Sequence, residues 1–596
     1  MARDVIDFFS NLLGGMHGGI HPLLLRENQY AKGVNLSSRG GLVKTRPGLK
    51  LISSLGKISD FKGAAIYSLN DADRLVYALG STIYSLNLST FVTTEFQTTL
   101  NPNSDRFHFA QIWKYFVIQD GYNEDAWEDV QWPFILNGDS VYDDTAIREG
   151  ESPQHAFPKG SIMAFGQGRA FVAVDWVWVG TGWEKSPRTS FVAGDINKAW
   201  EPVNVLLFSE SDSLETGGAI SVPNELGLIT GMAFQRNVQS GTGGGPLIVF
   251  CQHGSASFAV DVQRQVGTGA GADQLDWKTS QFGKVLFHDG GMEATYSIAS
   301  VNSDLIYRAH DGIRTLRYGI SQGQSQGVGL SNESISNEVS DFLDTELKDQ
   351  ALCSAAFAKN RYAVVTNKDS EGFKWNGLVV LDTTPVSAIT APATPVYDGV
   401  WTGLKFMSVL SGRYNDNNDL IILGENSGGN AGVYVLDDKS NDSENISIQS
   451  RLETRYFHFG APFDMKTLKH INVWLEGITG RMDFTIYYRA DGFGFWKIAG
   501  TSKISSSGDN PGRVRSVRIF PSETEASPDD QVGDAHAFYS VQFCFEFIGR
   551  GKISKVEIVS SLIGQDIYEE GVEKEFDVGV AEGGNFISIN DYEYMI

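Results

Sequence analysis

Residues 58–96 read ISDFKGAAIYSLNDADRLVYALGSTIYSLNLSTFVTTEF, and the fold is decided in this stretch. Apolar and polar residues alternate from Ile58 to Leu69, the chain turns at Asn70-Asp71, and alternation resumes over 74–80, 82–86 and 91–96. A period of two, rich in β-branched and aromatic residues and punctuated by Asn, Asp and Gly, predicts four short antiparallel strands. The texture returns in units that start near Phe107, Ile162, Ile229 and Tyr296. A sixth unit holds Ala363–Thr366 and Gly377–Asp382. A seventh, partial unit runs from Val400-Trp401-Thr402 through Leu420–Gly424 to Val433–Asp437, and the expectation is that early strands pair with it to close a ring. A repeat of roughly 50 to 70 residues with about four strands is what a β-propeller blade needs, the surplus being inserted loops.

Composition agrees with an all-β chain of several parts. At 596 residues it is too long for one ordinary core unless a repeat architecture absorbs much of it. Sixty-five glycines against 17 prolines, with 12% aromatic residues, suit many turns and little helix. The 72 acidic and 48 basic residues leave a net charge of −24, which argues against non-specific adhesion to nucleic acid or anionic lipid. A duplex could still slide past an acidic wall without sticking. Cys251, Cys353 and Cys544 are too few and too scattered for a disulfide framework or a zinc site. No apolar run reaches about 18 residues, so no membrane-spanning helix is expected. Asp4 and Asp7 near the start exclude a secretory signal there.

Outside the repeats the chain changes character. Val5, Ile6, Phe9, Leu12 and Leu13 share a helical face ahead of Gly14-Gly15, which predicts a short amphipathic helix over 5–13. Residues 24–48, LLRENQYAKGVNLSSRGGLVKTRPG, mix charge with glycine and end in a Pro-Gly turn. Such a stretch cannot build a core and is expected to be an exposed docking arm, its contacts made by Arg26, Glu27, Asn28, Tyr30, Arg39 and Arg46. A serine cap at Ser334 and apolar Ile335, Val339, Phe342 and Leu343 predict one inserted helix. After Asn445, alternating runs at Ile446–Gly460, Ile471–Leu475, Phe484–Tyr488, Val514–Ile519, Ser540–Phe547 and Ser554–Val559 point to an antiparallel β-sandwich. The segmentation is therefore 1–50 helix and arm, 51–445 propeller, 446–565 sandwich and 566–596 acidic tail, the tail extended or partly disordered.

The order Glu27-Asn28-Gln29-Tyr30, Asn35, Arg39-Gly40-Gly41, Thr45-Arg46-Pro47-Gly48 resembles the N-terminal signature of the tail nozzle proteins of short-tailed bacteriophages, also called tail tubular protein B. Leu452-Glu-Thr-Arg-Tyr-Phe-His-Phe-Gly460, followed by Lys466 and by Ile471-Asn-Val-Trp474, is similar to a segment found after the propeller in these nozzle and tail-stabilisation proteins. The resemblance implies a structural virion protein without enzymatic activity or cofactor, made in the host cytoplasm and assembled into the tail. It also implies a sixfold homo-oligomeric ring on a tail adaptor, beside tail fibres or spikes, through which double-stranded DNA passes without sequence-specific binding.

The competing reading is a carbohydrate-binding or polysaccharide-degrading propeller of a phage tail. Val174-Asp-Trp-Val-Trp-Val179 alternates, so Trp176 and Trp178 share a face that could take a sugar or a partner, although a propeller core face is the stronger reading of the pattern. Asp120–Asp125 and Asp143-Asp144 are candidate carboxylate sets, read more simply as solvated acidic loops. The glycine run 267–271 lacks the helix that phosphate binding requires, and Gly319-Ile-Ser-Gln-Gly323 lacks the helix of a nucleophile elbow and is expected to be a flexible loop. A secreted propeller scaffold of cellular origin fits less well, since signal and paired cysteines are missing.

Overall fold

The computed structural model describes residues 4–562 except 71, 122–130, 149–154, 179–182, 186–187, 196–201, 210–219, 237–243, 259–283, 302–303, 321–327, 344–352, 367–368, 371–372, 375–376, 384–395, 440–441, 443–447, 493, 506–514 and 520–536. The chain divides into two compact units. One holds Met1–Arg46, Val386–Gly399 and Ser447–Ile596; the other holds Pro47–Pro385 and Val400–Ile446. The glycine runs 240–243 and 267–271 and the acidic tail 566–596 lie outside the described residues.

The second unit is the propeller. Blade 1 consists of Phe61–Leu69, Ala72–Leu79, Thr82–Asn87 and Thr93–Gln97, paired in sequence order. Blades 2 to 5 begin at His108, Gly160, Ile229 and Ala299 and are likewise four-stranded. Next comes a sector of three strands, Ala355–Ala358, Arg361–Thr366 and Gly377–Asp382. The sixth complete blade joins Lys405–Tyr414, Asn417–Glu425 and Ala431–Asp437 to Gly48–Gly56, so that an early strand does close the ring, with Leu436 opposite Leu49. First strands of successive blades lie side by side from Phe61–Leu69 to Ile229–Arg236 and again from Ala299–Val301 to Lys405–Tyr414, which returns to Phe61–Leu69.

The core sits between blades. Tyr67, Val76 and Ile83 of blade 1 pack with Phe107, Phe116 and Leu136 of blade 2, and Leu75 and Leu86 pack on the other side with Ile421 and Val433 of the closing blade. Alternation supplies both interfaces at once, because successive side chains leave opposite faces of the strand. Gly63 shows how tight the contact is. Its φ is +135°, and a Cβ there would stand 2.9 Å from the Phe109 ring of blade 2.

The other unit is built on two long antiparallel strands, Lys466–Ala490 and Val541–Leu562, registered from Lys466↔Leu562 to Ala490↔Val541 with shifts between Glu476 and Asp483. Gln449–Phe457 pairs with one end of Val541–Leu562, and Asp4–Phe9 pairs with the other. The inward faces meet where Phe9 lies 5.9 Å from Phe545 and 6.3 Å from Phe457.

Three expectations of local structure are corrected. Residues 5–13 are not helical: Asp4–Phe9 is a strand, with Val5, Asp7 and Phe9 turned inward. The apolar spacing does not follow a period of two, since Asp7 faces inward and Ile6 and Phe8 outward; pairing with a strand more than 500 residues away overrides the local pattern. The inserted helix shrinks to Ser340–Leu343 after a 3-10 turn at Asn337–Val339, because Ser334 ends a strand paired with Arg314. Val339, Phe342 and Leu343 are nevertheless buried. Gly319-Ile320 continues a strand opposite Gly329 and Val328, so the elbow-like motif does not start in a loop. No helix among the described residues is long and apolar enough to cross a membrane.

Candidate functional site

The arm separates into a base and a tip. Lys32–Val34 adds to the edge of Gln449–Phe457, and Val43–Thr45 pairs with Lys552 and Ile553. Asn35, in the left-handed region at φ 55°, ties these together. Its Oδ1 accepts from Arg46 Nε at 2.9 Å, its Nδ2 donates to the Gln449 carbonyl at 2.8 Å, and its carbonyl accepts from the Ser450 hydroxyl at 3.0 Å. The Tyr30 hydroxyl donates to the Asp398 carbonyl at 3.2 Å, and the Ser38 amide donates to the Asp398 carboxylate at 2.9 Å.

Arg46 and Tyr30 are each 1% exposed. They are therefore wall residues of this unit and not the exposed docking contacts that composition suggests, while Arg39 is half-buried. A stretch too polar to form a core can still be buried when its polar groups are met one by one. Only the tip projects: Leu23 and Leu24 are 51% and 72% exposed, and Arg26, Glu27 and Asn28 are exposed. A 3-10 turn at Pro22–Leu24 shapes it, capped by His21, whose ring stacks on Tyr456 at 6.1 Å.

A second cluster occupies the middle of the propeller. The link between blades 4 and 5 runs inward, and Thr295 Oγ1 donates to the Thr230 carbonyl of blade 4 at 2.8 Å. The Tyr296 carbonyl accepts from the Ala355 amide at 2.9 Å, and the Tyr296 hydroxyl donates to the Phe107 carbonyl beside blade 2. Arg106 stacks over the Tyr296 ring at 3.9 Å, and His108 lies against it at 5.9 Å. These groups keep some accessible surface but are surrounded by protein. Burial holds the Tyr296 hydroxyl protonated and pushes His108 down to about 3, so the imidazole is neutral. Tyr296 thus bridges the link between blades 4 and 5 to the segment that enters blade 2.

Next to it, blades 2 and 3 bury charge. Asp175 has no exposed surface, and among the described residues neither carboxylate oxygen accepts a hydrogen bond of sound geometry. Desolvation pushes its pKa up to about 7, with Arg188 and Ser161 pulling it back only in part. Asp120, 3% exposed, is also raised by burial although its Oδ2 accepts from the Asn101 and Gln131 amides at 3.0 and 3.3 Å. Burial brings Lys159 down to about 8, its ammonium 5.0 Å from the Trp132 ring that Arg148 also faces.

The reading of Asp120 as part of a solvated loop is thus corrected, whereas Asp143 is exposed. Asp144 is 7% exposed and paired with Arg148 at 2.8 Å. Trp176 is 6% exposed and belongs to the packed interior, so it offers no open aromatic face. The side chain of Trp178 and residues 122–130 lie outside the described residues. Asp120 and Asp175 are close enough for their charges to interact, yet both are closed off from solvent. Sequence reasoning missed Asp175, His108 and Tyr296, since a single polar residue at a strand end carries no periodic signal. The three cysteines are free thiols and buried. No group of three His, Cys, Asp or Glu placed to hold a metal occurs among the described residues.

No family model matches the chain, and no curated protein matches it. Among solved structures it is similar to the β-propeller domain of Cps50 (Swd1) from Myceliophteria thermophila, at 11% identity and TM-score 0.31 over 66% of this chain and 98% of that one. It is also similar to a luciferin-regenerating enzyme, at 10% identity and TM-score 0.28 over 66% and 95%. A third is the sialidase of Trypanosoma rangeli, at 8% identity and TM-score 0.27 over 89% and 94%. Enzymes and non-enzymes stand side by side at this distance, and the likeness concerns the fold alone. The class defined by strand pairing and blade order is an all-β, β-propeller protein.

Proposed function

We propose that this chain is a structural, non-enzymatic protein of a phage tail, the nozzle through which the genome leaves. One observation carries the reading. The two stretches on which the resemblance rests, Glu27–Gly48 and Leu452–Gly460, are strand partners: Arg451, Leu452 and Glu453 stand opposite Val34, Gly33 and Lys32. Motifs far apart in the chain that meet in one sheet support a single composite unit, which in this reading is the sandwich with the base of the arm as one of its strands. The long propeller segment is inserted between them in sequence.

Copies of this chain would form a ring, sixfold by the resemblance, mounted on an adaptor and flanked by fibres or spikes. In this reading the passage for DNA lies between copies. The net charge of −24 keeps a duplex mobile along such a wall. Burial of Trp176 and of the Asp120 carboxylate, two residues of the carbohydrate alternative's site, favours the structural reading.

Negative-stain electron microscopy of the purified full chain, together with labelling of this chain on virions, tests the reading. Closed rings and label at the tail end are expected. Monomers under all conditions with an unlabelled tail overturn it.

A further inference from the structure

Within the composite unit one surface loop is held with unusual firmness. Lys466 has no exposed surface, and its ammonium donates to three backbone carbonyls, those of Ala461, of Asp464 at 2.6 Å and of Tyr539 at 2.9 Å. The Asp491 carboxylate gathers the other side of the loop by accepting from the Tyr539 and Ser540 amides at 2.9 and 2.7 Å. Burying an ammonium is costly unless every proton finds an acceptor, so this arrangement fixes the backbone on both sides of the residues it presents. Those residues are Phe463, Met465 and Tyr539, exposed by 75%, 37% and 45%. An aromatic group displayed on a rigid backbone loses little freedom on contact, which is what an interface anchor requires.

The same unit carries a face of complementary character. Ile6 and Phe8, 58% and 56% exposed, stand out from the edge strand Asp4–Phe9. Lys555 lies 5.6 Å from the Phe8 ring and 4.8 Å from Trp474, joining them into one patch. Around it are Lys469, Lys555 and Arg518 against Asp4 and Glu557, which leaves this face net positive in a chain of net charge −24. The tip of the loop, by contrast, bears Asp464 and Asp491 beside its apolar trio.

We propose that the Phe463 tip of one copy docks on the Ile6/Phe8/Trp474 patch of a second copy, with Asp464 facing Lys555 across the contact. The occupant is another molecule of this chain because the patch matches the tip in both respects, apolar centre and opposite charge. This rests on the ring-forming role proposed above and names the surfaces that would make the ring.

Mass photometry and analytical ultracentrifugation of the full chain read the outcome, with circular dichroism melts confirming that each variant folds. Phe463→Asp is expected to raise the self-dissociation constant by roughly tenfold or more. Asp464→Lys and Lys555→Asp are each expected to weaken association, and the double variant Asp464→Lys/Lys555→Asp to restore it. Folded variants that assemble like the wild type overturn the contact but leave the nozzle reading standing. A wild-type chain that stays monomeric at every concentration overturns the contact, and together with an unlabelled tail it overturns the nozzle reading as well. If the single charge variants weaken association and the double variant fails to rescue, the Asp464–Lys555 pairing is wrong and the proposal falls.

Discussion

In the propeller, Ala72–Leu79 pairs with the strand before it and the strand after it, Phe61–Leu69 and Thr82–Asn87, across turns of a few residues. In the composite unit, Asn35 is bonded to Gln449 and to Ser450, 414 and 415 residues further along. The first arrangement closes short loops many times over. The second closes a few very long ones, and each long closure costs entropy that only a well-matched partner offsets. The propeller accordingly distributes its stability over many inter-blade contacts, whereas in the composite unit the base of the arm is joined to the long-strand core by a few polar knots.

The sharpest way to break that contrast is Arg46→Glu. The substitution puts a carboxylate beside Asn35 Oδ1 in a site 1% exposed, and it removes the donor that fixes Asn35, the residue whose own bonds reach Gln449 and Ser450. Reversal of a buried charge costs on the order of 5 kcal/mol. Loss of soluble protein, or a first melting transition lowered by well over 10 °C while the propeller transition stays, is the expected result in calorimetry. A wild-type melting curve would mean that the arm is not built in.

A smaller effect is expected inside the propeller, with the opposite sign at neutral pH. Burial raises Asp175 from 3.8 to about 7, so the folded chain holds a proton that the unfolded chain releases in this range. Stability contributed by the protonated form is therefore present below about pH 4 and is lost as pH rises to about 7, by on the order of 4 kcal/mol. Asp175→Asn should flatten this dependence and be more stable than wild type at pH 8, by thermal melts at pH 4, 6 and 8. Parallel curves for the two proteins would show that the carboxylate is solvated after all.

Tyr296→Phe tests the middle of the ring more gently. It removes one hydroxyl donor and strands the Phe107 carbonyl, which costs about 1 kcal/mol in a denaturant titration. No loss would mean that the crossing contact is incidental to the closure of the ring.

What could be read in advance follows the same division. Alternation in 58–96, and its return at 107, 162, 229 and 296, suffices for the blades, because both partners of each pairing lie in the same short window. The closing strand could be anticipated from an incomplete last unit. Asp4–Phe9 could not, since Val5, Ile6 and Phe9 fit a helical face while the strand that decides otherwise, Val556–Ser561, is distant. Tyr30 and Arg46 read as surface residues because their partners, Asp398 and Asn35, give no sign of it locally. Asp120 and Asp175 were hidden for a related reason: burial of an acid is a property of the neighbouring blade, not of the strand that bears it.

The tip of the arm offers the smallest effect on folding and the cleanest separation of folding from assembly. Leu24 is 72% exposed and Glu27 is exposed, so Leu24→Ser with Glu27→Ala should change stability by less than about 0.5 kcal/mol. If Leu23–Asn28 is the part of the arm that docks, the folded double variant should still yield fewer rings or fewer filled tails in micrographs than wild type. Assembly in full yield would confine docking to other surfaces of the composite unit, and the base of the arm would then be scaffold alone.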